Sequence, residues 1–213
     1  MTLKKKIGII GAGGFGKETL CCLIDSRAHT DFKIENSACF IVSDDLFDAP
    51  FVLGVPVIPL SKFDAKKYDV VIAIGDPTAR KKMVESLPKN TTFTTIIHPT
   101  AILSKWVTIG EGSIITAGSI LTCDIKIGKH AHINLHTTIG HDCEMGDYFT
   151  TAPATNISGH CTFGDCVYLG TNVSVRQDVK ICDNVTIGMG GVVLKSVNEA
   201  GVYIGNPLKK LER

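Results

Sequence analysis

The sequence predicts an α/β lobe over residues 1–95, followed by an all-β domain of stacked, three-sided coils over residues 96–213. Two observations carry this prediction: a six-residue apolar repeat in the second part, and apolar segments arranged around a glycine-rich turn in the first part. A chain of 213 residues is long enough for two such domains.

The six-residue repeat is the stronger of the two signals. An apolar residue recurs at every sixth position between residues 109 and 193, and Thr151 is the only interruption. The residue two places before each of them is mostly small or β-branched. An α-helix would need apolar residues every three or four positions, so the repeat predicts a short-period β-solenoid instead.

The repeat also predicts the geometry of the solenoid. Six residues form one side of a coil, three sides close a coil of about eighteen residues, and coils stack about 4.8 Å apart. Residues 97–193 then make roughly five to six coils, with the large aliphatic side chains inside the prism. Glycine follows seven members of the series, and we expect a positive φ at these turns. The glycines are Gly110, Gly128, Gly140, Gly146, Gly164, Gly170 and Gly188.

The first part of the chain has the order of a Rossmann-like βαβ lobe. Residues 11–16 match the pattern G-x-G-x-x-G, between an apolar strand and a helix that runs to about Asp25. Backbone N–H groups at such a turn can hold a diphosphate. The predicted strands are residues 5–10, 37–42, 68–74 and 92–97, and a second helix is predicted over residues 77–87.

The length of the lobe limits the ligand that it can hold. About 95 residues correspond to one mononucleotide-binding half, so a complete dinucleotide site does not fit and we set NAD-dependent oxidation aside. We expect a nucleotide sugar at the glycine turn and at acidic residues that follow the later strands, with a turn that binds nothing as the alternative. The residues of this expected site are Gly11, Ala12, Gly13, Gly14, Phe15, Asp44, Asp45 and Asp76.

The composition excludes several other classes of protein. The net charge of +1 offers no basic surface for nucleic acid. No run of about 18 apolar residues predicts a membrane span, and Lys17 and Glu18 end the apolar N-terminal stretch too early for a secretory signal. The eight cysteines form no C-x-x-C pair, so we expect reduced thiols in a cytoplasmic protein.

A short Rossmann-like lobe joined to hexapeptide coils resembles a known family. The coils carry IGHDCEMGD at residues 139–147, and GVYIGNP lies near the C-terminus at residues 201–207. Together these features resemble the sugar O-acyltransferase family related to sialic-acid O-acetyltransferase, and within it the bacterial N-acetyltransferases of nucleotide-linked 4-amino sugars. The resemblance spans nearly the whole chain and implies a left-handed parallel β-helix for the second domain.

The resemblance also implies an activity. It indicates an acetyl-CoA-dependent N-acetyltransferase that acts on the 4-amino group of a nucleotide-linked amino-deoxy sugar, without a metal. Such enzymes work as homotrimers, with active sites at the seams between neighbouring solenoids and the nucleotide held by the lobe. His141 stands where the family has its general base, Asp142 where it has the polarising acid, and Asn134 also matches a site residue.

The expected acetyl-CoA site departs from the family at one position, and the sugar site at another. Several members carry a histidine in the glycine turn where this chain has Phe15. A second histidine commonly precedes the Ala-Pro pair that contacts acetyl-CoA, and this chain has threonines there. The residues that we assign to acetyl-CoA are Thr150, Gly159, Thr171 and Met189.

His141 suits the expected chemistry, because amide formation needs a base that takes a proton from the attacking amine. A carboxylate on the other ring nitrogen would fix the tautomer. Neighbours on a straight strand point to opposite faces, so Asp142 can reach His141 only if Gly140 places both at a corner, and Glu144 is the alternative partner. The N–H of Gly159 is a candidate donor to the oxyanion.

The remaining histidines of the coils are His130, His132, His136 and His160, and we expect surface imidazoles. Asp142 and His160 are eighteen residues apart, so they should stack on successive coils. Three alternatives remain for the function. They are a sugar O-acetyltransferase, a trimeric binding protein without catalysis, and a zinc enzyme of the β-helical carbonic anhydrase type, for which a third histidine is missing.

Overall fold

The computed structural model describes residues 5–212, in which an α/β lobe packs against a three-sided parallel β-helix. None of the helices in this range combines the length and the apolar character that a membrane-spanning segment requires. The lobe contains β1 (Lys6–Ile10), α1 (Gly14–Ser26), α2 (Ile34–Ser37), β2 (Ala38–Val42), β3 (Phe51–Val52), β4 (Val55–Pro59), β5 (Tyr68–Ile72), α3 (Pro77–Ser86) and β6 (Thr92–Phe93), with 3₁₀ turns at Asp44–Leu46 and Leu60–Lys62.

The lobe forms one six-stranded sheet with the order β3-β4-β2-β1-β5-β6, parallel except for β3. The predicted strand over residues 92–97 is two strands, because only β6 pairs with the lobe sheet. Strand β4 was not predicted from the sequence. It alternates buried Val55 and Val57 with half-buried neighbours, and Pro56 and Pro59 disguise that pattern.

The β-helix has three faces, and residues on successive coils pair in parallel at a spacing of eighteen residues. Face 1 contains β7 (Ile96–Ile97), β10 (Ile114–Ile115), β13 (His132–Ile133), β16 (Thr150–Thr151), β19 (Tyr168–Leu169), β22 (Val185–Ile187) and β24 (Gly201–Ile204), with β25 (Lys209–Lys210) antiparallel to β24. Face 2 contains β8 (Ile102–Leu103), β11 (Ile120–Leu121), β14 (Thr138–Ile139), β17 (Asn156–Ile157), β20 (Ser174–Val175) and β23 (Val192–Val193). Face 3 contains β9 (Val107–Ile109), β12 (Ile125–Ile127), β15 (Glu144–Met145), β18 (Thr162–Phe163) and β21 (Lys180–Ile181). We name the corners 1–2, 2–3 and 3–1 after the faces that they join.

The apolar series of the repeat forms the core of the prism, as predicted. Every member from Ile115 to Val193 is buried, including the interruption at Thr151. The Thr151 hydroxyl lies 2.9 Å from the hydroxyl of Thr137 and accepts the N–H of Asn134 at 3.0 Å. A buried hydroxyl with two partners costs the fold little, which explains how the series tolerates it.

The expectation of a positive φ at the seven glycines is wrong. The positive φ falls two residues later in each corner, and it recurs every six residues between Gly112 and Gly190. His130 and Asp142 occupy such positions, with φ of 55° and 57°, and both residue types are enriched in this conformation. The glycines are needed for close stacking: a Cβ on Gly110 would lie 2.5 Å from the carbonyl carbon of Gly128 on the next coil.

A buried arginine joins the lobe to the β-helix. Arg80 on α3 is fully buried, although the sequence marks it as an ordinary helix-surface residue. Its guanidinium donates to the carbonyl oxygens of Ile74, His130 and Tyr148 at 2.7–2.9 Å. It also donates to the Thr150 hydroxyl at 2.6 Å. Burial lowers the pKa of Arg80 to about 9, so the side chain stays protonated at neutral pH.

Candidate active site

His141 and Asp142 meet at corner 2–3, in the second half of the turn that follows β14. The positive φ of Asp142 turns the chain, so that two adjacent side chains point the same way. His141 Nδ1 lies 2.6 Å from Asp142 Oδ2, and about half of each side chain is exposed. The corner that this pair requires is therefore present, and its positive φ falls at Asp142 rather than at Gly140. Glu144, the alternative partner, instead binds Lys126 at 2.7 Å.

The contact between the two side chains selects one tautomer of the imidazole. An ionised carboxylate can only accept, so in the neutral ring of His141 the proton lies on Nδ1 and Nε2 keeps its lone pair. The Nε2 side of the ring lies over Gly159, where an added Cβ would come within 2.8 Å of Nε2. Gly159 is thus the residue on which the ring of His141 rests.

The backbone at corner 2–3 leaves two N–H donors beside this ring. Among the hydrogen bonds of residues 5–212, none has the N–H of His141 or of Gly159 as its donor. The next coil places His160 above Asp142, with Nε2 3.7 Å from Oδ2 of the carboxylate. The predicted stacking of Asp142 and His160 is observed, and the rings of His141 and His160 are perpendicular with centroids 5.0 Å apart.

The predicted nucleotide turn opens onto a cleft between the lobe and face 1. This cleft has a volume of about 290 Å³, and its walls come from the glycine turn, β13, β16 and corner 1–2. Phe15 packs on the ring of His132, with centroids 4.7 Å apart, and therefore forms the floor of the cleft. The predicted residues that line it are Gly14, Phe15, Asn134 and Thr150.

The three acidic residues predicted for the substrate site differ in whether their carboxylates already accept hydrogen bonds. Asp44 accepts hydrogen bonds from the N–H of Ser61, at 3.0 Å, and from its hydroxyl, which lower the pKa of Asp44. Asp76 accepts the N–H of Ala79 at 2.6 Å and caps α3. Asp45 has no side-chain hydrogen bond among residues 5–212 and is exposed. Gly11, Ala12 and Gly13 lead into α1 at the same edge of the sheet.

The four residues assigned to acetyl-CoA do not come together within one chain. Thr150 is buried in the junction and accepts a hydrogen bond from Arg80. Thr171 and Met189 stack on successive coils of corner 1–2, and Met189 is 76% exposed. Gly159 lies at corner 2–3 beside His141. The whole width of face 2, roughly 20 Å, therefore separates the two groups.

His130 and His132 correct the expectation of surface imidazoles, because the lobe covers them and leaves both buried. His132 donates from Nε2 to the carbonyl of Ile72 at 2.8 Å and accepts from Arg80 at Nδ1 at 3.0 Å. Burial and the charge of Arg80 hold the pKa of His132 well below its usual range. Burial lowers the pKa of His130 to about 4. His136 and His160 are exposed, as expected.

Comparison with known proteins identifies the family. Residues 6–87 match the family model of the PglD N-terminal domain. The chain is 31% identical to the GDP-perosamine N-acetyltransferase of Escherichia coli O157:H7, over 97% of this chain and 96% of that protein. The chain belongs to the family of this acetyltransferase. The resemblance that the sequence suggested is thereby confirmed.

Solved structures agree over the full length. WeeI from Acinetobacter baumannii AYE has a TM-score of 0.89 and 32% identity, with 98% of this chain and 100% of that chain covered. PerB from Caulobacter crescentus, in complex with CoA and GDP-perosamine, has a TM-score of 0.85 and 28% identity, with 97% of each chain covered. Histidine-to-asparagine and histidine-to-alanine variants of the Caulobacter enzyme, with the same two ligands, have TM-scores of 0.86, 28% identity, and 98% of this chain and 97% of theirs covered. The chain is thus an acetyltransferase with a left-handed β-helix, and acetyl-CoA is its co-substrate.

Proposed function

We propose that this enzyme transfers an acetyl group from acetyl-CoA to the 4-amino group of a nucleotide-linked amino-deoxy sugar, by direct attack of the amine on the thioester. Residues 1–95 hold the nucleotide sugar and residues 96–213 carry the chemistry, in the cytoplasm where nucleotide sugars are made. The observation that carries the proposal is the His141–Asp142 contact of 2.6 Å, which leaves Nε2 free to accept a proton.

In this reaction His141 acts as the general base and Asp142 as the residue that orients it. The amine attacks the thioester carbon, and Nε2 of His141 takes the proton that the nitrogen loses. The CoA thiolate then leaves and takes that proton from the imidazolium of His141. Asp142 stabilises the imidazolium that forms in between. The N–H of Gly159, which has no acceptor among residues 5–212, donates to the oxyanion of the tetrahedral intermediate.

The proposal includes a homotrimer in which two chains complete each site. The expected site residues lie along the two edges of face 2, with the lobe cleft, Thr171 and Met189 on one edge and His141 on the other. The outward positions of face 2 carry no charge, whereas those of face 3 include the Lys126–Glu144 ion pair. Packing of face 2 against a neighbour would bring the dyad of one chain to the cleft of the next. The outward residues of face 2 are Ile102, Ile120, Thr138, Asn156, Ser174 and Val192.

The substrate class rests on the lobe cleft and on the relatives. The cleft opens at the N-terminus of α1, where backbone N–H groups favour a diphosphate. The Escherichia coli relative is named for acetylation of GDP-perosamine, and the Caulobacter structure holds GDP-perosamine with CoA. Both facts support an amino sugar on a nucleoside diphosphate as the acceptor.

The first experiment measures thiol release from acetyl-CoA with UDP-, GDP-, dTDP- and CMP-linked amino sugars. We expect turnover with at least one of them, and a loss of about 10²–10⁴-fold in H141N. The matched control is H29N, an exposed histidine of the lobe that does not line the cleft, and this variant keeps its turnover. Equal thermal stability of the two variants shows that the fold is intact. Unchanged turnover in H141N would remove the base from the mechanism.

A second experiment tests whether two chains complete one site. G14E places a negative charge in the cleft, and an added Cβ at Gly14 meets nothing within 4 Å, so the lobe still folds. Each of H141N and G14E is inactive alone. Random co-assembly of the two at equal amounts restores about a quarter of the wild-type activity if each site uses residues of two chains. No recovery would place the whole site within one chain.

The chemical stability of the acetylated product distinguishes the O-acetyltransferase alternative from the proposed N-acetyltransferase. An acetyl ester on a sugar hydroxyl is cleaved by alkaline hydroxylamine, whereas an acetamide survives it. We expect a resistant product. A hydroxylamine-sensitive product would replace the proposed amine acceptor by a hydroxyl, with the same base in the same place.

A further inference from the structure

Corner 2–3 brings together three groups that transition metals bind well. His141, Asp142 and His160 each offer one ligand atom, these three atoms lie within 4.8 Å of one another, and all three side chains are about half exposed. Two imidazoles and one carboxylate form a common ligand set for Zn²⁺ in proteins. Mg²⁺ and Ca²⁺ prefer oxygen ligands and do not suit this set.

We propose that His141, Asp142 and His160 form a binding site for Zn²⁺ and that its occupation switches the enzyme off. Tetrahedral zinc at about 2.0–2.2 Å from each ligand atom places those atoms about 3.3 Å apart. The present spacings are 2.6 Å between His141 and Asp142 and 3.7 Å between Asp142 and His160. Small rotations of exposed side chains therefore bring all three atoms to zinc-binding positions, and water can complete the coordination.

The way in which zinc would inhibit follows from the tautomer of His141. Without metal, Nδ1–H donates to Asp142, and the lone pair on Nε2 accepts the proton of the substrate amine. Zinc on Nδ1 takes the lone pair of that nitrogen, so the proton of the neutral ring moves to Nε2. A ring with its proton on Nε2 has no lone pair left there to act as the base. This part of the inference rests on the proposed function, whereas zinc binding itself does not.

His160 is the residue that distinguishes the metal site from the proposed catalytic pair. Its side chain makes no hydrogen bond within 3.5 Å among residues 5–212 and lies one coil above Asp142, while its backbone N–H donates to the carbonyl of His141 at 2.9 Å. Asparagine tolerates the φ of 57° at this position, so H160N should keep the backbone and the basal turnover. The side-chain amide of asparagine is a poor ligand for zinc, so the variant should lose the metal site.

The test uses the purified full-length protein and measures zinc binding by competition with a chromophoric chelator. We expect one Zn²⁺ per chain in the wild type and at least tenfold weaker binding in H160N. The matched control is H29N, which removes an exposed histidine of the lobe and should bind zinc like the wild type. Equal zinc affinity in H160N and the wild type would overturn the proposed site.

The same proteins then show whether binding inhibits. We expect Zn²⁺ to lower kcat of the wild type at saturating substrates, EDTA to restore it, and millimolar Mg²⁺ to have no effect. H160N should need at least ten times more zinc for half inhibition. Inhibition of H160N at the same zinc concentration as the wild type would overturn the switch. If no nucleotide sugar is acetylated, the proposed function fails, and the binding measurement still decides the zinc site.

Discussion

Corners 2–3 and 3–1 of the β-helix have the same backbone and opposite roles. Both carry a residue with positive φ on every coil that they share, such as Asp142 and Tyr148. At corner 3–1, Asp147, Asp165 and Asp183 each accept the N–H of the residue one coil earlier, at 2.7–2.8 Å. At corner 2–3 the corresponding N–H groups of His141 and Gly159 have no acceptor within residues 5–212.

The two corners also differ in their exposure to solvent. The lobe covers corner 3–1, and Arg80 donates to the carbonyl groups of His130 and Tyr148 there. Corner 2–3 is open to solvent, with His141 and Asp142 half exposed. The comparison teaches that corners of one repeat differ in whether contacts among residues 5–212 satisfy their polar groups. The difference depends on whether side chains or the lobe satisfy the polar groups of the turn, or leave them to a ligand.

The largest effect that this comparison predicts comes from removing the arginine of the covered corner. R80M should lower the free energy of unfolding by about 3–5 kcal/mol, because it leaves several buried carbonyl groups without donors. The measurement is denaturant unfolding. The control is R176M at corner 2–3, where the arginine is exposed and the change should stay within about 0.5 kcal/mol. Similar losses in both variants would contradict the difference between the corners.

Acid should destabilise the covered corner. The pKa of His130 is lowered from 6.5 to about 4 by burial, so below pH 6.5 the unfolded chain binds a proton that the folded chain does not. Stability is therefore fully present above pH 6.5 and is lost as the pH falls toward 4, by roughly 3 kcal/mol from this residue.

Unfolding measurements between pH 7 and pH 4 test this prediction. H130N, whose asparagine suits the φ of 55°, should show a shallower loss of stability than the wild type. An unchanged slope in H130N would mean that other groups, such as His132, carry the acid response.

A third prediction separates activity from stability at two glycines. A Cβ on Gly159 would lie 2.7–2.8 Å from Cε1 and Nε2 of His141, so G159A should displace the ring. Turnover should fall by roughly 10–100-fold, since an error of about 1 Å in placing a catalytic group can cost that much. The exposed ring can move aside, so stability should change little.

The counterpart at the covered corner is G128A. A Cβ there would lie 2.5 Å from Asp147 Oδ1 and 2.6 Å from the carbonyl carbon of Gly146. We expect a lower melting temperature with kcat per folded enzyme unchanged. Steady-state kinetics and thermal unfolding are measured for both variants. Full turnover in G159A would contradict the prediction.

The smallest predicted loss of stability comes from removing one aspartate that accepts a backbone N–H at corner 3–1. D165A removes the acceptor of the Asp147 N–H and should cost about 1 kcal/mol. Q177A changes the equivalent position of corner 2–3, where the side chain is exposed, and should be nearly neutral. Equal unfolding midpoints for the two variants would show that the hydrogen bonds from backbone N–H groups to these aspartates do not stabilise corner 3–1.

Residues in the repeat were predictable because each coil repeats the same local environment. The buried series from Ile115 to Val193 and the stacking of Asp142 under His160 follow from a period of six and a coil of eighteen. The glycines were assigned correctly to the corners but for the wrong reason. Close approach between coils, as at Gly110, is a contact between distant residues and leaves no local signal.

The junction between the domains was not predictable. Arg80 has the sequence context of an exposed helix, and His132 occupies the outward position of its strand. Both are buried because the lobe lies on face 1, which depends on the docking of two domains rather than on any local pattern. The same docking turns Thr150, expected at the cofactor, into a partner of the buried arginine.

The sequence alone determined the two-domain order, the β-helical coil and the glycine turn, because these depend on short-range periodicity. It left the partner of His141 open between Asp142 and Glu144, and the backbone of one corner brings Asp142 to the ring. Only the tertiary structure decided which corner is covered, which histidines are buried and neutral, and that the expected site residues lie along both edges of face 2. The physical reason is that burial and shared hydrogen bonds arise when surfaces that are far apart in the chain come together.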